Sequence, residues 1–427
     1  MRTVRPDLMH TATEAFDEET LTTLQHVLWA VADSNSTDIA LTELQIKQAR
    51  LHCKLGGLGL TSTSLIKSAA WLGSWTHTKR LLKDLFKDTD FNNILDTFST
   101  NPYSSETIQS ITDAHSHIAA EFVRAGKINM PALDELEVIK DHAQRHYCDA
   151  IYKNLAAGML ADASDDDRAR LRSCGGPKAD SWLNCIPKIP LFALGSADFR
   201  TSLRLRLGLD QPGIRTTCRC KCGAFPDAKG YHYLTCTTGD HPKTRHEVVV
   251  KAAHEMVLAT AKHSTIRGLE DVLEGFTNSG GNRLVLDQVV RAFSTTGSDY
   301  GYDYAVCHPC SPAYLPAAKD APLAAARKRA GSKRQKYERA CRSHDIEFRA
   351  TVLEVFGAWS PDMEELGKKC SVFVQDKLPD GTTSTWTAES FSAFHQQRIS
   401  IALQRMNAKT IRLRASRDFY SQGTTTD

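Results

Sequence analysis

The chain has 427 residues, of which 41% are hydrophobic, and its formal net charge is +3. This length suffices for roughly two or three domains with real cores, which excludes a wholly disordered protein. The charge is too small to establish a nucleic-acid partner, no apolar run reaches transmembrane length, and the first residues lack the apolar core of a signal peptide. Twelve cysteines without such a signal indicate reduced, intracellular thiols that are partly metal-bound.

The first half of the chain has the periodicity of helices. Apolar positions recur at helical spacing over residues 8–50 and 64–82, and residues 84–215 continue as helical segments that are broken at Asn101-Pro102 and at 175–177. Asp162 and Asp165 to Asp167 form an acidic cluster, but no apolar strand flanks it as a polymerase-type metal pair would require. We interpret the cluster as a helix start or a solvated loop.

A group of thiols follows residue 215. Cysteines occupy positions 218, 220 and 222, and a His and a Cys stand four positions apart at 232 and 236. One helical turn or a tight loop would aim this His and Cys at one point, and two thiolates from the first group would complete a tetrahedral set. We predict a structural zinc site of Cys220, Cys222, His232 and Cys236, with Cys218 as the substitute ligand. The alternative is that these are small buried side chains.

Two strand-like runs at 283–290 and 300–306 enclose a Ser/Thr/Gly turn, which predicts a β-hairpin. Asp287 and Asp303 are equally distant from Thr295, so a turn centred there would set them opposite each other in an antiparallel pair. Two facing carboxylates require a cation, and an oxygen pair is the ligand set that Mg²⁺ prefers. The alternative is that each Asp is only a residue at the rim of the sheet.

A basic segment with helical spacing follows and includes Lys333 and Lys336. An ammonium near a carboxylate-bound metal suits phosphodiester cleavage, because it offsets the charge that builds in the transition state. A solvated basic face is the alternative. Farther on, residues 348–357 predict a strand in which Glu354 alternates with apolar residues, so that a buried carboxylate there would need a cation or a hydrogen-bond partner.

The last predicted element is a helix over residues 391–412. It carries Gln397-Arg398 and Gln404-Arg405, which are seven positions apart and therefore lie on one face. That face could line a phosphate backbone, and equally it could be a surface salt-bridge face. Residues 421–427 are polar and are expected to be disordered.

Taken in this order, the segments resemble the carboxy-terminal half of polyproteins of site-specific non-long-terminal-repeat retrotransposons, which end in a restriction-enzyme-like endonuclease. The resemblance covers about residues 40–410. In this family a proline precedes the first metal-binding Asp, where this chain has Leu286, and the gap between the two aspartates is slightly longer here than usual. A proline ligates nothing, so the cation site survives its loss. The motifs that carry the resemblance are Gln48-Ala49 with the glycine-rich 56–60, Cys220-x-Cys222-Gly223, His232-x-x-x-Cys236, Arg245-His246, Leu286-Asp287, Asp303-x-x-Val306-x-x-Pro309 and Lys333-x-x-Lys336-Tyr337.

The resemblance implies an α+β fold with a helical amino-terminal half. The implied parts are a thumb-like remnant of a reverse transcriptase (1–100), a helical linker (101–214), a zinc knuckle (215–245), a restriction-endonuclease-like α/β domain (246–415) and a disordered tail (416–427). No aromatic-flanked Asp-Asp of a polymerase palm occurs in an apolar strand. We therefore expect a truncated element or a broken gene model that does not itself polymerise.

The resemblance also implies a function, namely nicking of double-stranded DNA with Mg²⁺ or Mn²⁺ to prime reverse transcription in the nucleus, with element RNA as a further partner. In this interpretation Asp287 and Asp303 hold the metal, Lys333 or Lys336 polarises the phosphate, and Glu354 is a further ligand. The alternatives are an inactive, zinc-containing nucleic-acid-binding remnant and an interaction scaffold. The DNA contacts implied are Arg245, His246, Arg334, Tyr337, Arg398 and Arg405.

Overall fold

The structure, a computed structural model, describes residues 3–29, 40–85, 102–126, 130–139, 141–268, 271–278, 280–294, 296–382 and 384–420. The chain divides into two compact units, Met1–Asp162 (unit 1) and Ala163–Asp427 (unit 2). The boundaries expected after residues 100 and 214 do not coincide with this division. Helices and a small mixed sheet are both present, which is compatible with the predicted α+β class.

Unit 1 is helical in the residues that the structure describes. Asp17 of the first helix caps the third, because its carboxylate accepts hydrogen bonds from the Ser62 hydroxyl (2.5 Å) and the Thr63 amide (2.7 Å). The predicted helical character is therefore confirmed here, while residues 86–101, up to the expected break at Asn101, lie outside the described residues. The helices are α1 (His10–Trp29), α2 (Glu43–Arg50), α3 (Thr63–Leu85), α4 (Pro102–Arg124) and α5 (Ala143–Asp162).

Unit 2 contains eight described helices and six described strands. The acidic cluster at 165–167 forms the first turn of a helix that Ser164 caps, so the prediction of a helix start is confirmed. The helices are α6 (Asp165–Cys174), α7 (Ser196–Leu207), α8 (Tyr231–Thr235), α9 (His241–Leu258), α10 (Leu315–Ala318), α11 (Ala324–Arg342), α12 (Pro361–Phe373) and α13 (Phe391–Tyr420). The strands are β1 (Ser264–Thr265), β2 (Val272–Thr277), β3 (Arg283–Val285), β4 (Gln288–Val290), β5 (Asp299–Cys307) and β6 (Ile346–Glu354).

The main sheet has the strand order β1-β4-β5-β6. β4 pairs with β5 in the antiparallel sense, whereas β6 pairs with β5 in parallel along its whole length. A parallel pair needs a crossover connection, and here α10 and α11 provide it. β5 is therefore the strand on which the hairpin and the crossover meet.

Both faces of β5 are covered, and its side chains alternate between them. Tyr300, Tyr302 and Tyr304 pack in a cluster with α9, α12 and α13, and the rings of Tyr300 and Tyr302 stack at 6.2 Å. On the other face Ala305 and Cys307 pack in a cluster with α11. Because β5 has no face in water, the odd-numbered Asp303 must be buried under α11.

Two predictions about the strands and the tail are wrong. The run at 283–290 is not one strand, because β3 pairs with β2 in a separate two-stranded sheet while β4 joins the main sheet. The chain changes sheets at Leu286, whose amide donates to the Asp271 carbonyl (2.9 Å). Residues 416–420, expected to belong to a disordered tail, are helical because α13 continues to Tyr420, and residues 421–427 lie outside the described part.

A glycine pair provides a test of this packing. A Cβ at Gly301 of β5 would lie 2.6 Å from Leu286 Cδ1 and 2.8 Å from Ile346 Cγ2, whereas a Cβ at Gly331 of α11 would meet nothing within 4 Å. We expect Gly301→Ala to lower the free energy of unfolding by about 1–3 kcal/mol through overpacking. Gly331→Ala should be neutral or should raise it by about 0.5–1 kcal/mol. Chemical denaturation measures both, and equal effects would contradict the packing.

His308 provides a test by pH. Its ring lies between Tyr231 (4.5 Å) and Phe356 (5.4 Å), and burial, together with the nearby Arg245, lowers its pKa to about 3. An unfolded histidine titrates near pH 6.5, so below that pH the unfolded chain binds the extra proton.

We therefore expect the free energy of unfolding to fall as the pH decreases from about 7, and His308→Asn to reduce this slope by up to ~1.4 kcal/mol per pH unit. Denaturant titrations between pH 7 and pH 5 measure the slope. The exposed His10→Asn is the control, and a slope unchanged in His308→Asn would contradict the assignment.

Candidate functional site

The predicted Cys/His group is brought together in unit 2. Side-chain ligand atoms of Cys220, Cys222, His232 and Cys236 all lie within 4.8 Å of one another. The Sγ atoms of Cys220 and Cys236 are 3.9 Å apart, and Cys222 Sγ lies 3.5 Å from His232 Nε2. Cys218 is not a member of the group, so the first choice of ligands is the one that the fold assembles.

Short-range backbone geometry produces this cluster. Gly230, with φ +80°, immediately precedes α8. The first two amides of α8 donate to the Asp227 carboxylate (Tyr231 N to Oδ1, 3.0 Å; His232 N to Oδ2, 2.6 Å). The Cys236 amide donates to the His232 carbonyl (2.8 Å), so one helical turn aims both side chains the same way. This is the arrangement that the four-residue spacing predicts.

The chemistry of the cluster suits a metal ion. Burial raises the pKa of Cys236, but hydrogen bonds from Arg414 and the Thr238 amide outweigh it and bring the pKa to about 7. A thiol that ionises near neutral pH is a ready metal ligand. Three sulfurs and one imidazole nitrogen are the donor set of a closed tetrahedral site, so the cluster can hold a metal such as zinc.

Asp287 and Asp303 lie at the second site. β4 and β5 pair in the register Gln288↔Tyr302, Val289↔Gly301 and Val290↔Tyr300, and the same register continued by one residue sets Asp287 opposite Asp303. The predicted register is confirmed, although Thr295 at its centre lies outside the described residues. α11 crosses over this position, and the Lys333 ammonium forms an ion pair with Asp303 Oδ2.

Asp287 is 6% exposed and accepts hydrogen bonds at both carboxylate oxygens. Arg267 donates to Oδ1 from Nε (2.9 Å) and from Nη2 (2.7 Å). The Tyr304 amide donates to Oδ2 (2.8 Å), and His246 Nε2 lies 3.0 Å from the same oxygen. Four donors thus converge on one buried carboxylate.

The contacts of His246 fix its tautomer. Nε2 also lies 3.1 Å from the Tyr304 carbonyl, so it faces two acceptors and must carry the proton. Nδ1 lies 2.9 Å from Arg267 Nη2, which donates to it. The ring therefore links Asp287 and Arg267 in one hydrogen-bond network.

The two carboxyl groups have opposite pKa shifts. Burial raises the pKa of Asp287, but hydrogen bonds from His246, Arg267 and Tyr304 outweigh it and lower the pKa to about 2. For Asp303 burial prevails over Lys333, and the nearby Asp287 charge adds to it, so its pKa is raised. Burial, with Lys333 nearby, lowers the pKa of Lys336. Closely spaced groups with divergent pKa values are typical of catalytic sites.

Glu354 is not part of this site. β5 and β6 pair in the register Asp303↔Ala350 and Cys307↔Glu354, so Glu354 lies four positions from Asp303, or about 13 Å along the strand. Its carboxylate instead accepts a hydrogen bond from the Ala326 amide at the start of α11 (3.2 Å). The prediction that it is a further metal ligand is wrong, because alternation gives a face but no position along the strand.

Four of the implied DNA contacts are used inside the fold, which corrects that expectation. Arg245 is 5% exposed and donates to the Leu234 carbonyl (2.9 Å). Arg398 forms an ion pair with Glu255, and Arg405 donates to three carbonyls, at 2.7 Å to that of Ala193. Tyr337 is 5% exposed and stacks on Phe348 at 5.5 Å. The physical reason is that these polar side chains have partners within the protein, which are backbone carbonyls for Arg245 and Arg405, a carboxylate for Arg398 and an aromatic ring for Tyr337.

The exposed face of α11 is basic. Arg334 forms an ion pair with Asp362 (2.8 Å), with about half of its side chain exposed. Lys336 donates to the Tyr337 hydroxyl (2.9 Å) and extends this face toward Asp303. Among these cations Lys336 interacts electrostatically with Asp303 and Asp287. The exposed cations of the face are Arg327, Lys328, Arg334, Lys336 and Arg339.

Sequence reasoning missed Arg267. It lies between β1 and β2, has φ 45°, and keeps 39% of its side chain exposed. A positive φ in a residue other than glycine often marks a functional position, but the sequence carries no signal for it.

A separate cavity of about 560 Å³ lies within unit 1. It opens between α3 and α5, and the rings of His52 and Tyr152 meet at its wall with centroids 4.1 Å apart. None of the described residues that line it is acidic. The lining cations and histidines are His52, His77, Arg80, His142 and Arg145.

Comparison with known proteins does not assign the chain to a family. No model of a known protein family matches the chain, and no curated protein is significantly similar to it in sequence. Among the described helices, none is both long and apolar enough to cross a membrane. The resemblance to retrotransposon polyproteins thus stays a prediction.

The metal cluster can be tested with a matched cysteine pair. We expect Cys222→Ser to remove bound zinc and to lower the thermal midpoint markedly, because zinc binding to such a site contributes on the order of 10 kcal/mol of folding free energy. Cys218→Ser, four positions away and outside the cluster, should keep the metal. Metal analysis of the purified full chain measures both, and zinc retained by Cys222→Ser or lost by Cys218→Ser would contradict the ligand set.

Proposed function

We propose that this protein is a metal-dependent DNA endonuclease derived from a non-long-terminal-repeat retrotransposon, with its restriction-endonuclease-like site in unit 2. The observation that carries the proposal is that Asp287 and Asp303 stand opposite each other in the sheet and that Lys333 forms an ion pair with Asp303. Two carboxylates with an ammonium beside them are the groups that metal-assisted phosphodiester cleavage requires. They come from three elements, so the fold rather than local sequence assembles them.

Each group has a role that its surroundings support. Asp287, whose lowered pKa keeps it ionised, and Asp303 hold Mg²⁺ or Mn²⁺. A divalent ion held there would supply activation of a water molecule and neutralisation of phosphate charge. Lys333 compensates Asp303, while Lys336, with its lowered pKa, offsets charge on the phosphate oxygens.

The surroundings of the site fit a nucleic-acid substrate. The basic face of α11 binds the backbone of double-stranded DNA, and the Cys/His cluster holds a structural zinc that fixes the segment before α9. The nick would prime reverse transcription in the nucleus by a polymerase from elsewhere, with element RNA as a further partner.

A second candidate is a non-catalytic nucleic-acid-binding remnant. The observation that favours it is that Asp287 already has four donors and Asp303 already has Lys333, so both carboxylates are satisfied without a metal. The basic cavity of unit 1 offers a further place for phosphates. Binding of this kind weakens steeply as salt rises.

Nicking of supercoiled plasmid by the full chain distinguishes the two candidates. With Mg²⁺ or Mn²⁺ we expect nicked circles that EDTA abolishes. Asp303→Asn should reduce the rate about 100-fold or more, because it removes a metal ligand while keeping the shape of the side chain. Lys336→Ala should also slow nicking, through loss of charge compensation.

A control variant accompanies these. Asp299→Asn lies on the same strand as Asp303 and breaks an ion pair with Arg291 outside the proposed site, so it should nick at the wild-type rate. Circular dichroism checks that each variant is folded. If the wild type does not nick DNA but binds it in a salt-dependent way, the endonuclease proposal is contradicted and the non-catalytic remnant is supported.

A further inference from the structure

The donors on Asp287 leave no open position for a cation. Oδ1 accepts twice from Arg267, and Oδ2 accepts from the Tyr304 amide and faces His246 Nε2–H. A carboxylate offers about four lone-pair positions, so this one is saturated. A metal can therefore bind Asp287 only after one of these donors has left.

The donors differ in how easily they can leave. The Tyr304 amide belongs to the central strand, and His246 is carried by α9 and is held by the Tyr304 carbonyl as well. Arg267 lies on the short segment after β1, and its side chain is 39% exposed. Its guanidinium also carries the charge that a metal would repel, since two cations cannot share one oxygen pair. Arg267 is thus the donor that gives way.

The displaced side chain has a place to go. Arg267 forms one wall of a cavity of about 390 Å³ along α9, whose other walls include Val250 and Leu258. Glu247 Oε1 lies 3.9 Å from Arg267 Nη1 and marks the direction of the cavity. The fork of N–H groups on an arginine suits two oxygens of a phosphate.

We propose that Arg267 and a divalent cation compete for Asp287, and that the arriving metal displaces Arg267 toward the phosphate of the substrate. This inference rests on the proposed function. Arg267 and Lys333 occupy the carboxylate positions that a metal would take. Arg267 is accordingly a positioning residue that competes with the metal for Asp287 and, once displaced, binds the phosphate of the substrate.

Mn²⁺ affinity tests the competition. Electron paramagnetic resonance measures free Mn²⁺ in the presence of the full chain without DNA. We expect Arg267→Gln to bind the ion about tenfold more tightly than the wild type, because the charge-assisted pair between Arg267 and Asp287 no longer opposes binding. Arg291→Gln is the matched control, since Arg291 pairs with Asp299 at 2.7 Å and has a similar exposed fraction. Its Mn²⁺ affinity should equal that of the wild type.

Chemical labelling separates displacement from a general charge effect. With phenylglyoxal, modification of Arg267 in the wild type should increase when Mn²⁺ is added, while that of Arg291 should not. A guanidinium that stays on Asp287 would keep its reactivity, and unchanged labelling overturns the inference even if the Arg267→Gln affinity rises.

The other possible results of the Mn²⁺ titration distinguish failure of this inference from failure of the proposed function. If the wild type binds Mn²⁺ in a way that Asp303→Asn abolishes, but Arg267→Gln binds it equally or less tightly, the inference fails and the metal site stands. If only Arg267→Gln binds Mn²⁺, Arg267 blocks the site instead of yielding it to the metal, and the inference is overturned. If neither protein binds Mn²⁺ at Asp303, the proposed nuclease site itself is overturned.

Discussion

A carboxylate buried in the middle of a sheet must have a cation beside it, and unit 2 is arranged around this requirement at Asp303. β5 is covered on both faces, so no water reaches the charge from the sheet. An unpaired charge in such a place would cost several kcal/mol or be neutralised. The crossover that makes β6 parallel to β5 carries α11 over this point and brings Lys333 to Asp303. One covalent connection therefore covers the sheet and supplies the counter-charge.

The sequence allowed prediction of what depends on short-range spacing. The equal distances of Asp287 and Asp303 from the turn are a property of the hairpin alone, and they gave the register that β4 and β5 adopt. The four-residue spacing of His232 and Cys236 is likewise set within one helical turn, whatever the rest of the fold does. Predictions of this kind succeed because the geometry is determined within a few residues and does not depend on a distant partner.

The predictions that failed depend on contacts between residues far apart in the sequence. Whether an arginine meets DNA or a backbone carbonyl depends on which segment the fold brings to it, so the predictions of DNA contacts at Arg245 and Arg405 were wrong. The face of Glu354 followed from alternation, but its distance from Asp303 depends on the β5–β6 register, which no local pattern encodes. Arg267 had no signal at all, since a single arginine in a short connection is ordinary. Its importance exists only in three dimensions, through Asp287 and His246.

The last helix has a consequence for the order of synthesis. α13 has 30 residues, a length of about 45 Å, and packs against α7, α8, α9 and α12. The ribosome has therefore made the Cys/His segment and all six described strands before it makes the helix that buries α9. Until residue 391 and those after it emerge, apolar side chains such as Val249 and Met256 lack part of their cover. Folding of unit 2 therefore cannot be completed before α13 has been synthesised.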